Sequence, residues 1–164
     1  MAEIMTMQTF NGPLEAGVRA VAVLMALYPR SYDLQRMTAL DYLLLRTHEL
    51  GGPPDLHPAA PIRSPATEVR RRLIESALLL MMSRGLVERE VSSKGIRYLA
   101  GEVAAPFLDA TQSPYLGELR SRAEWLASLV GDYDDGDFDE LMKNLFDDWV
   151  AEFHAVERSS GADE

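Results

Sequence analysis

The sequence contains no cysteine among its 164 residues. This excludes a disulfide scaffold, a thiolate zinc site and a cysteine nucleophile, and it is typical of a reducing compartment. The longest uninterrupted apolar run covers residues 20–28, nine positions, which is too short to span a bilayer. No Lys or Arg precedes Arg19, so the basic start of a signal peptide is also lacking. We therefore expect a cytoplasmic protein that does not contact a membrane.

Signatures of catalysis are missing as well. The sequence has no GxxxxGK[ST] loop for nucleotide phosphates and no GxGxxG, HExxH or GxSxG pattern. Its three histidines, His48, His57 and His154, are far apart and lack the spacing of metal ligands. We expect a protein that is not an enzyme and that holds no cofactor or metal.

An acidic run at residues 132–139 invites comparison with a calcium loop. An EF-hand needs carboxylates at positions 1, 3 and 5, glycine at 6 and glutamate at 12. With Gly136 at position 6, position 12 is Met142; with Asp132 at position 1, position 12 is Lys143. Both registers fail, so a solvated loop with a helix cap is the favoured interpretation.

The formal charge of −10 is unevenly distributed. Residues 1–100 hold 12 Lys+Arg and 10 Asp+Glu, a balance of +2, whereas residues 101–164 hold 4 and 16, a balance of −12. An acidic surface repels nucleic acid and favours basic partners, so the argument against DNA applies only to the C-terminal part.

The first 100 residues have the order helix, helix, helix, hairpin. Proline and cap signals predict helices from Pro13 to before Pro29, from Asp33 to about Glu49, and from Ser64-Pro65 to about Arg84. Residues 86–100 contain two β-prone segments around a Ser-Ser-Lys-Gly turn. This order predicts a mainly α fold of the α+β class, with a winged-helix-like domain over residues 1–100.

The remaining chain is predicted to form an acidic helical extension over residues 101–158, packed on the first domain, with a disordered tail at 159–164. Ser113-Pro114 begins a helix to about Val130, and Asp137 with Glu140 resembles a capping box for a last helix.

Two sets of residues are candidates for binding. Arginines at the start of a recognition-type helix can contact phosphates, and with hairpin cations they would form one basic patch: Arg70, Arg71, Arg72, Arg89, Lys94 and Arg97. The alternative is a solvated helix face with Glu68–Arg72 and Arg71–Glu75 pairs. Candidates for contact with a protein partner are His57 and Arg63 in the Pro- and Gly-rich loop at 51–63, and Phe138, Trp149 and Phe153 on the apolar stripe of the last helix. For that stripe, burial in the core is the favoured interpretation and docking to a partner is the alternative.

Several phrases carry a resemblance to a known family, and they extend over about residues 8–130. They are FNGPLEAGVRA at 10–20, LQR at 34–36 with LDYLL at 40–44, HPA at 57–59 with RS at 63–64, GIRYLAGE at 95–102 with APFL at 105–108, and SPYL at 113–116 with RAEWL at 122–126. The chain resembles the middle component, second class, of bacterial ABC-three-component systems.

The resemblance implies a non-enzymatic accessory subunit that bridges an SMC/Rad50-like ABC ATPase, in defence against phage, plasmid or other mobile DNA. The implied partners are that ATPase, an effector subunit and DNA, the last bound weakly and without sequence preference. A homodimer is a further alternative. The rival function is a free-standing winged-helix transcriptional regulator, which normally reads a palindrome as a symmetric dimer.

Overall fold

The computed structural model describes residues 12–56 and 68–145. They form six α-helices, one 3-10 turn and one antiparallel hairpin: α1 (Pro13–Ala26), α2 (Leu34–Leu45), the 3-10 turn (Thr47–Leu50), α3 (Glu68–Ser83), β1 (Val87–Ser92), β2 (Gly95–Ala100), α4 (Ala104–Ala110), α5 (Pro114–Val130) and α6 (Asp135–Leu145). The predicted mainly α fold of the α+β class is confirmed.

Local capping explains where most helices begin. Pro13 occupies the first turn of α1, where its missing N–H would have no helical partner. The Asp33 side chain accepts a hydrogen bond from the Arg36 N–H at 2.8 Å at the start of α2. Ser113 accepts one from the Leu116 N–H at 3.1 Å at the start of α5. Both predicted side-chain caps therefore form, because each satisfies an amide that the helix leaves unpaired.

The starting cap of α6 differs from the prediction. The reciprocal hydrogen bonds join Asp134 and Asp137: Asp134 accepts from the Asp137 N–H at 2.7 Å, and Asp137 accepts from the Asp134 N–H at 3.2 Å. The capping box therefore lies three residues earlier than the Asp137–Glu140 pair. Consecutive aspartates offer several cap registers, and packing of the helix selects one of them.

The helix α2 also ends before its predicted limit at Glu49. It gives way after Leu45 to the 3-10 turn, which ends at Gly51 with φ of 80°. Such a left-handed conformation strains any residue with a Cβ, so the predicted glycine stop is located correctly although the last turn is not α-helical.

The core is built around α1 and α2. Helix α1 packs against α3 and α5, and α2 is buried along nearly its whole length. One continuous hydrophobic cluster joins residues from both sides of the charge step at residue 100, including Leu24, Leu40, Leu78, Leu119 and Phe138. The acidic helices α5 and α6 therefore share their core with the N-terminal helices.

The hairpin is tied to the helices at its base. Its strands pair from Val87 with Ala100 to Ser92 with Gly95, and Gly95 adopts φ of 92° at the turn. Tyr32, between α1 and α2, forms an isolated antiparallel bridge with Tyr98. In a helix-turn-helix, a turn of about 3–4 residues joins the two helices. Here α2 and α3 are separated by the 3-10 turn and residues 51–67, and the winged-helix assignment stays a prediction.

Candidate interaction surface

Arg70, the first member of the predicted basic patch, turns toward the protein interior. It lies in the first turn of α3 and its Nη1 contacts the Asp41 Oδ2 at 3.2 Å. The same carboxylate accepts a hydrogen bond from the Arg19 Nε at 2.7 Å, and both of those side chains are buried. One carboxylate on α2 thus joins arginines from α1 and α3.

The electrostatics of this buried cluster support a structural role for Arg70. Burial lowers the Arg70 pKa, Asp41 opposes the effect, and the Arg19 and Arg46 cations add to it. Burial also disfavours the Arg19 cation, but Asp41 outweighs it, and the net pKa of Arg19 is raised. The Arg46 and Arg70 guanidiniums lie 4.8 and 5.3 Å from the centre of the Tyr42 ring. Cation–π contacts of this kind help to hold buried cations in place.

The next two arginines pair with a glutamate of their own helix. The Glu68 carboxylate contacts the Arg72 Nε at 3.0 Å and an Arg71 Nη at 3.6 Å. The expected Glu68–Arg72 pair is therefore present, while Arg71 takes Glu68 as its partner and not Glu75. Arg72 remains 77 % exposed, so its pair contributes little stability. Of the predicted triplet, Arg72 is the most accessible to a partner.

Arg97 belongs to a different contact from the one predicted. It donates to the Ser31 backbone carbonyl at 2.7 Å and to the Asp135 carboxylate at 3.1 and 3.2 Å. Its side chain therefore links β2 to the segment before α2 and to the first turn of α6. The sequence pattern groups Arg97 with the hairpin cations, but the distant Asp135 decides its direction.

A second arginine, Arg36, also joins the N-terminal helices to α6, and the sequence pattern did not predict its role. Arg36 donates to Asp33 at 2.7 Å and to both carboxylate oxygens of Asp139 at 2.8 and 3.0 Å, and it lies 3.7 Å from Asp135. We call Arg36, Arg97, Asp135 and Asp139 the arginine clamp. It holds α6 against α2 and the hairpin.

The two clamp carboxylates respond differently to their surroundings. Burial raises the Asp139 pKa more than the Arg36 cation lowers it. Burial acts in the same direction on Asp135, but the hydrogen bond from Arg97 and the charge of Arg36 outweigh it, so the Asp135 pKa is lowered. The acidic run is therefore more than a solvated loop, because two of its members form ion pairs with the N-terminal part. In the sequence, the excess of aspartate in this run was the only feature that pointed to such ion pairs.

Arg30 adds a backbone contact to the same region. It donates to the carbonyl oxygen of Gly131 at 2.7 Å and to that of Tyr133. The loop between α5 and α6 is thereby attached to the segment that follows α1.

The start of the Pro- and Gly-rich loop is fastened to α5. Arg122 donates to the Pro54 carbonyl at 2.9 and 3.0 Å, and a Cβ on Gly52 would lie 2.6 Å from the Trp125 ring. The close packing of Gly52 explains why this position is free of a side chain. His57 and Arg63 lie outside the described residues.

Of the three predicted partner residues on the last helix, the structure describes only Phe138. Phe138 is only 2 % exposed and lies in the core, 6.4 Å from the Tyr32 ring centre. A side chain buried in this way is not accessible to a partner. Trp149 and Phe153 lie outside the described residues.

Besides Arg72 on α3, the members of the predicted basic patch that remain exposed are Arg89 and Lys94 of the hairpin. The hairpin register places Arg89, Val91, Ile96 and Tyr98 on one face, with Tyr98 buried toward the base, and Val91 and Ile96 are direct cross-strand neighbours nearer the tip. They are 72 % and 45 % exposed. Burial and the Glu75 carboxylate raise the Tyr98 pKa, and Arg89 lowers it. Arg89 and Lys94 are exposed and carry no ion pair within the described part of the chain.

The described residues contain neither a candidate metal-binding cluster nor a helix fit to span a membrane. No group of three or more His, Cys, Asp or Glu there is arranged to hold a metal ion. No described helix combines the length and hydrophobicity needed to cross a membrane.

These features define a mainly helical protein in which most of the arginines described above hold parts of the fold together and in which an exposed apolar pair lies on the hairpin. The chain belongs to the family of the ABC-three component system Middle Component 2, whose model matches residues 9–152. The match includes the region beyond residue 130, to which the sequence phrases did not extend. Comparison with curated proteins and with solved structures finds no match.

Proposed function

We propose that this middle component is a non-enzymatic, cytoplasmic accessory subunit that binds and bridges an SMC-like ABC ATPase in prokaryotic defence against phage or plasmid DNA. Membership of the family supports a role alongside the ABC component of a three-component system. The defence role, the SMC-like character of the ATPase and the absence of catalysis extend this finding and belong to the proposal.

The direction of Arg70 is the observation that favours this function over a free-standing regulator. A recognition helix reads DNA with side chains at its N-terminal end that reach the base edges. Here Arg70 contacts Asp41 and the neighbouring arginines pair with Glu68. The exposed side of α3 also carries Val69, Glu75 and Leu79. Such a mixed surface suits a protein partner better than the phosphate backbone.

The central test is complex formation with the ABC component of the same system. Co-expression followed by size-exclusion chromatography with light scattering should give a complex, whose ATP hydrolysis differs from that of the ABC component alone. The isolated middle component should hydrolyse no ATP. A lone dimer that binds its own promoter and ignores the ABC component would contradict the proposal and favour the regulator.

A weaker, sequence-independent DNA contact by the complex is the second part of the proposal. Arg71→Glu/Arg72→Glu changes one partly exposed and one exposed position and should lower retention of duplex DNA, with the difference fading as salt rises. Arg70→Glu is unsuitable for this purpose, because it would place a second carboxylate beside Asp41. Unchanged DNA retention by the double variant, with its circular dichroism intact, would exclude a DNA role for α3.

A further inference from the structure

The exposed face of the hairpin has the composition of a protein-docking surface. Val91 and Ile96 lie opposite each other near the tip and are largely in contact with solvent. Both are β-branched and stiff, so ordering them against a partner costs little side-chain entropy. An adjacent apolar pair of this kind gains free energy when a partner removes it from water.

The charges around this pair are asymmetric. Arg89 is on the same face, two residues before Val91 along β1, and Lys94 is in the turn. Glu88 and Glu90 alternate with Arg89 and Val91 along β1, so they point to the opposite face. The face therefore presents an apolar centre with a cationic edge, although the whole chain carries a net charge of −10.

We infer that this face docks a protein segment with an apolar centre and carboxylates at its rim, supplied by the ABC component. The inference rests on the proposed function and adds the surface and the chemistry of the partner. Carboxylates opposite Arg89 and Lys94 would steer the encounter, while the contact with Val91 and Ile96 would supply most of the affinity.

DNA fits this face less well. Phosphates would gain from Arg89 and Lys94, but the two β-branched side chains offer them no hydrogen bond, and Glu88, Glu90 and Glu75 are nearby repulsive charges. A partner with both apolar and acidic groups uses every exposed feature of the face.

The test compares two apolar-to-serine changes in the full chain. Val91→Ser/Ile96→Ser should weaken binding to the purified ABC component about tenfold or more by calorimetry, since two buried aliphatic contacts are lost. Leu14→Ser, which removes an exposed apolar side chain from α1, is the matched control and should bind as the wild type does. Circular dichroism establishes that each variant is folded.

A second pair of variants tests the contribution of the positive charge at Arg89 to association. Arg89→Glu should slow association and flatten its dependence on salt, because it removes a steering charge. Lys143→Glu makes the same change of net charge on α6 and should leave association unaffected. If both variants behave alike, net charge alone acts and the proposed acidic rim is wrong.

The outcomes separate the two proposals. If the wild type binds the ABC component and Val91→Ser/Ile96→Ser binds it equally well, the docking surface is wrong while the accessory function stands. No binding by the wild type overturns both. If the double variant instead loses affinity for a duplex DNA probe and keeps its affinity for the ABC component, the face is a DNA contact and the inference is wrong.

Discussion

At the scale of single residues, this protein shows how strongly one buried carboxylate directs distant arginines. Asp41 is the shared partner of Arg19, 22 positions earlier, and of Arg70, 29 positions later. A buried charge is costly to desolvate unless a partner compensates it. The three groups therefore depend on one another, and the position of Asp41 decides that Arg70 faces inward.

This dependence predicts a large effect of Asp41→Asn. The change leaves two buried guanidiniums without their carboxylate, so the free energy of unfolding should fall by about 3–5 kcal/mol. Urea unfolding followed by circular dichroism measures it. Asp109→Asn, which removes a 68 % exposed partner of Arg120, is the control and should cost less than about 1 kcal/mol. Equal losses in the two variants would show that Asp41 contributes no more than a surface pair.

At the scale of elements, close backbone contacts determine how the hairpin leaves α3. The Gly101 N–H donates to the Leu86 carbonyl at 3.0 Å, and a Cβ at Gly101 would lie 2.3 Å from the Gly85 carbonyl oxygen. Gly17 is also crowded, but there a Cβ would meet only the Met81 side chain, its terminal methyl carbon at 2.4 Å and its Cγ at 2.8 Å. The two sites differ because backbone cannot yield, whereas a methionine side chain can change rotamer.

Alanine substitutions should separate these two kinds of crowding. Gly101→Ala should lower the free energy of unfolding by about 1–3 kcal/mol, since it forces the α3–hairpin junction apart. Gly17→Ala should cost clearly less, because Met81 can adjust and alanine favours the helix. Thermal unfolding of both variants, side by side, measures the difference. A larger loss at Gly17 would contradict this account of the junction.

At the scale of the whole molecule, the charge step near residue 100 is partly neutralised inside the fold. The arginine clamp places Arg36 and Arg97, from the near-neutral N-terminal part, against Asp135 and Asp139 of the acidic part. The same contacts join α6 to α2 and the hairpin. The asymmetry of charge along the chain thus contributes to assembly of the fold.

The clamp predicts opposite pH responses for its two carboxylates. The Asp135 pKa is lower in the folded state, so its contribution is present above the unfolded value of about 4 and is lost as pH falls through the folded pKa. Wild type should exceed Asp135→Asn in unfolding free energy at neutral pH, by at most about 1 kcal/mol because the group is well solvated, and this difference should vanish in acid.

The contribution of Asp139 to the free energy of unfolding should change with pH in the opposite direction. Its pKa is raised by burial, so protonation as pH falls through the folded pKa stabilises the wild type relative to Asp139→Asn. Urea titrations at several pH values check both signs. Parallel pH profiles for the two variants would contradict the assigned environments.

Local features of this fold could be predicted because their causes are local. The caps at Asp33 and Ser113, the glycine stop at Gly51 and the turn before Gly95 each depend on side-chain chemistry within a few residues. The partner of Arg97 could not be predicted, since Asp135 lies 38 positions away and several other acids were equally available in the sequence.

The sequence therefore specified the helices, the hairpin and the uneven charge, because short-range hydrogen bonding and apolar periodicity act between neighbours. Which charges stay exposed depends on long-range contacts. Packing of α1, α2 and α3 brings Asp41 to Arg19 and Arg70, and docking of α6 brings Asp135 to Arg97. Coulomb attraction depends on distance in space rather than along the chain, and so the sequence alone does not reveal which arginines pair with carboxylates inside the fold.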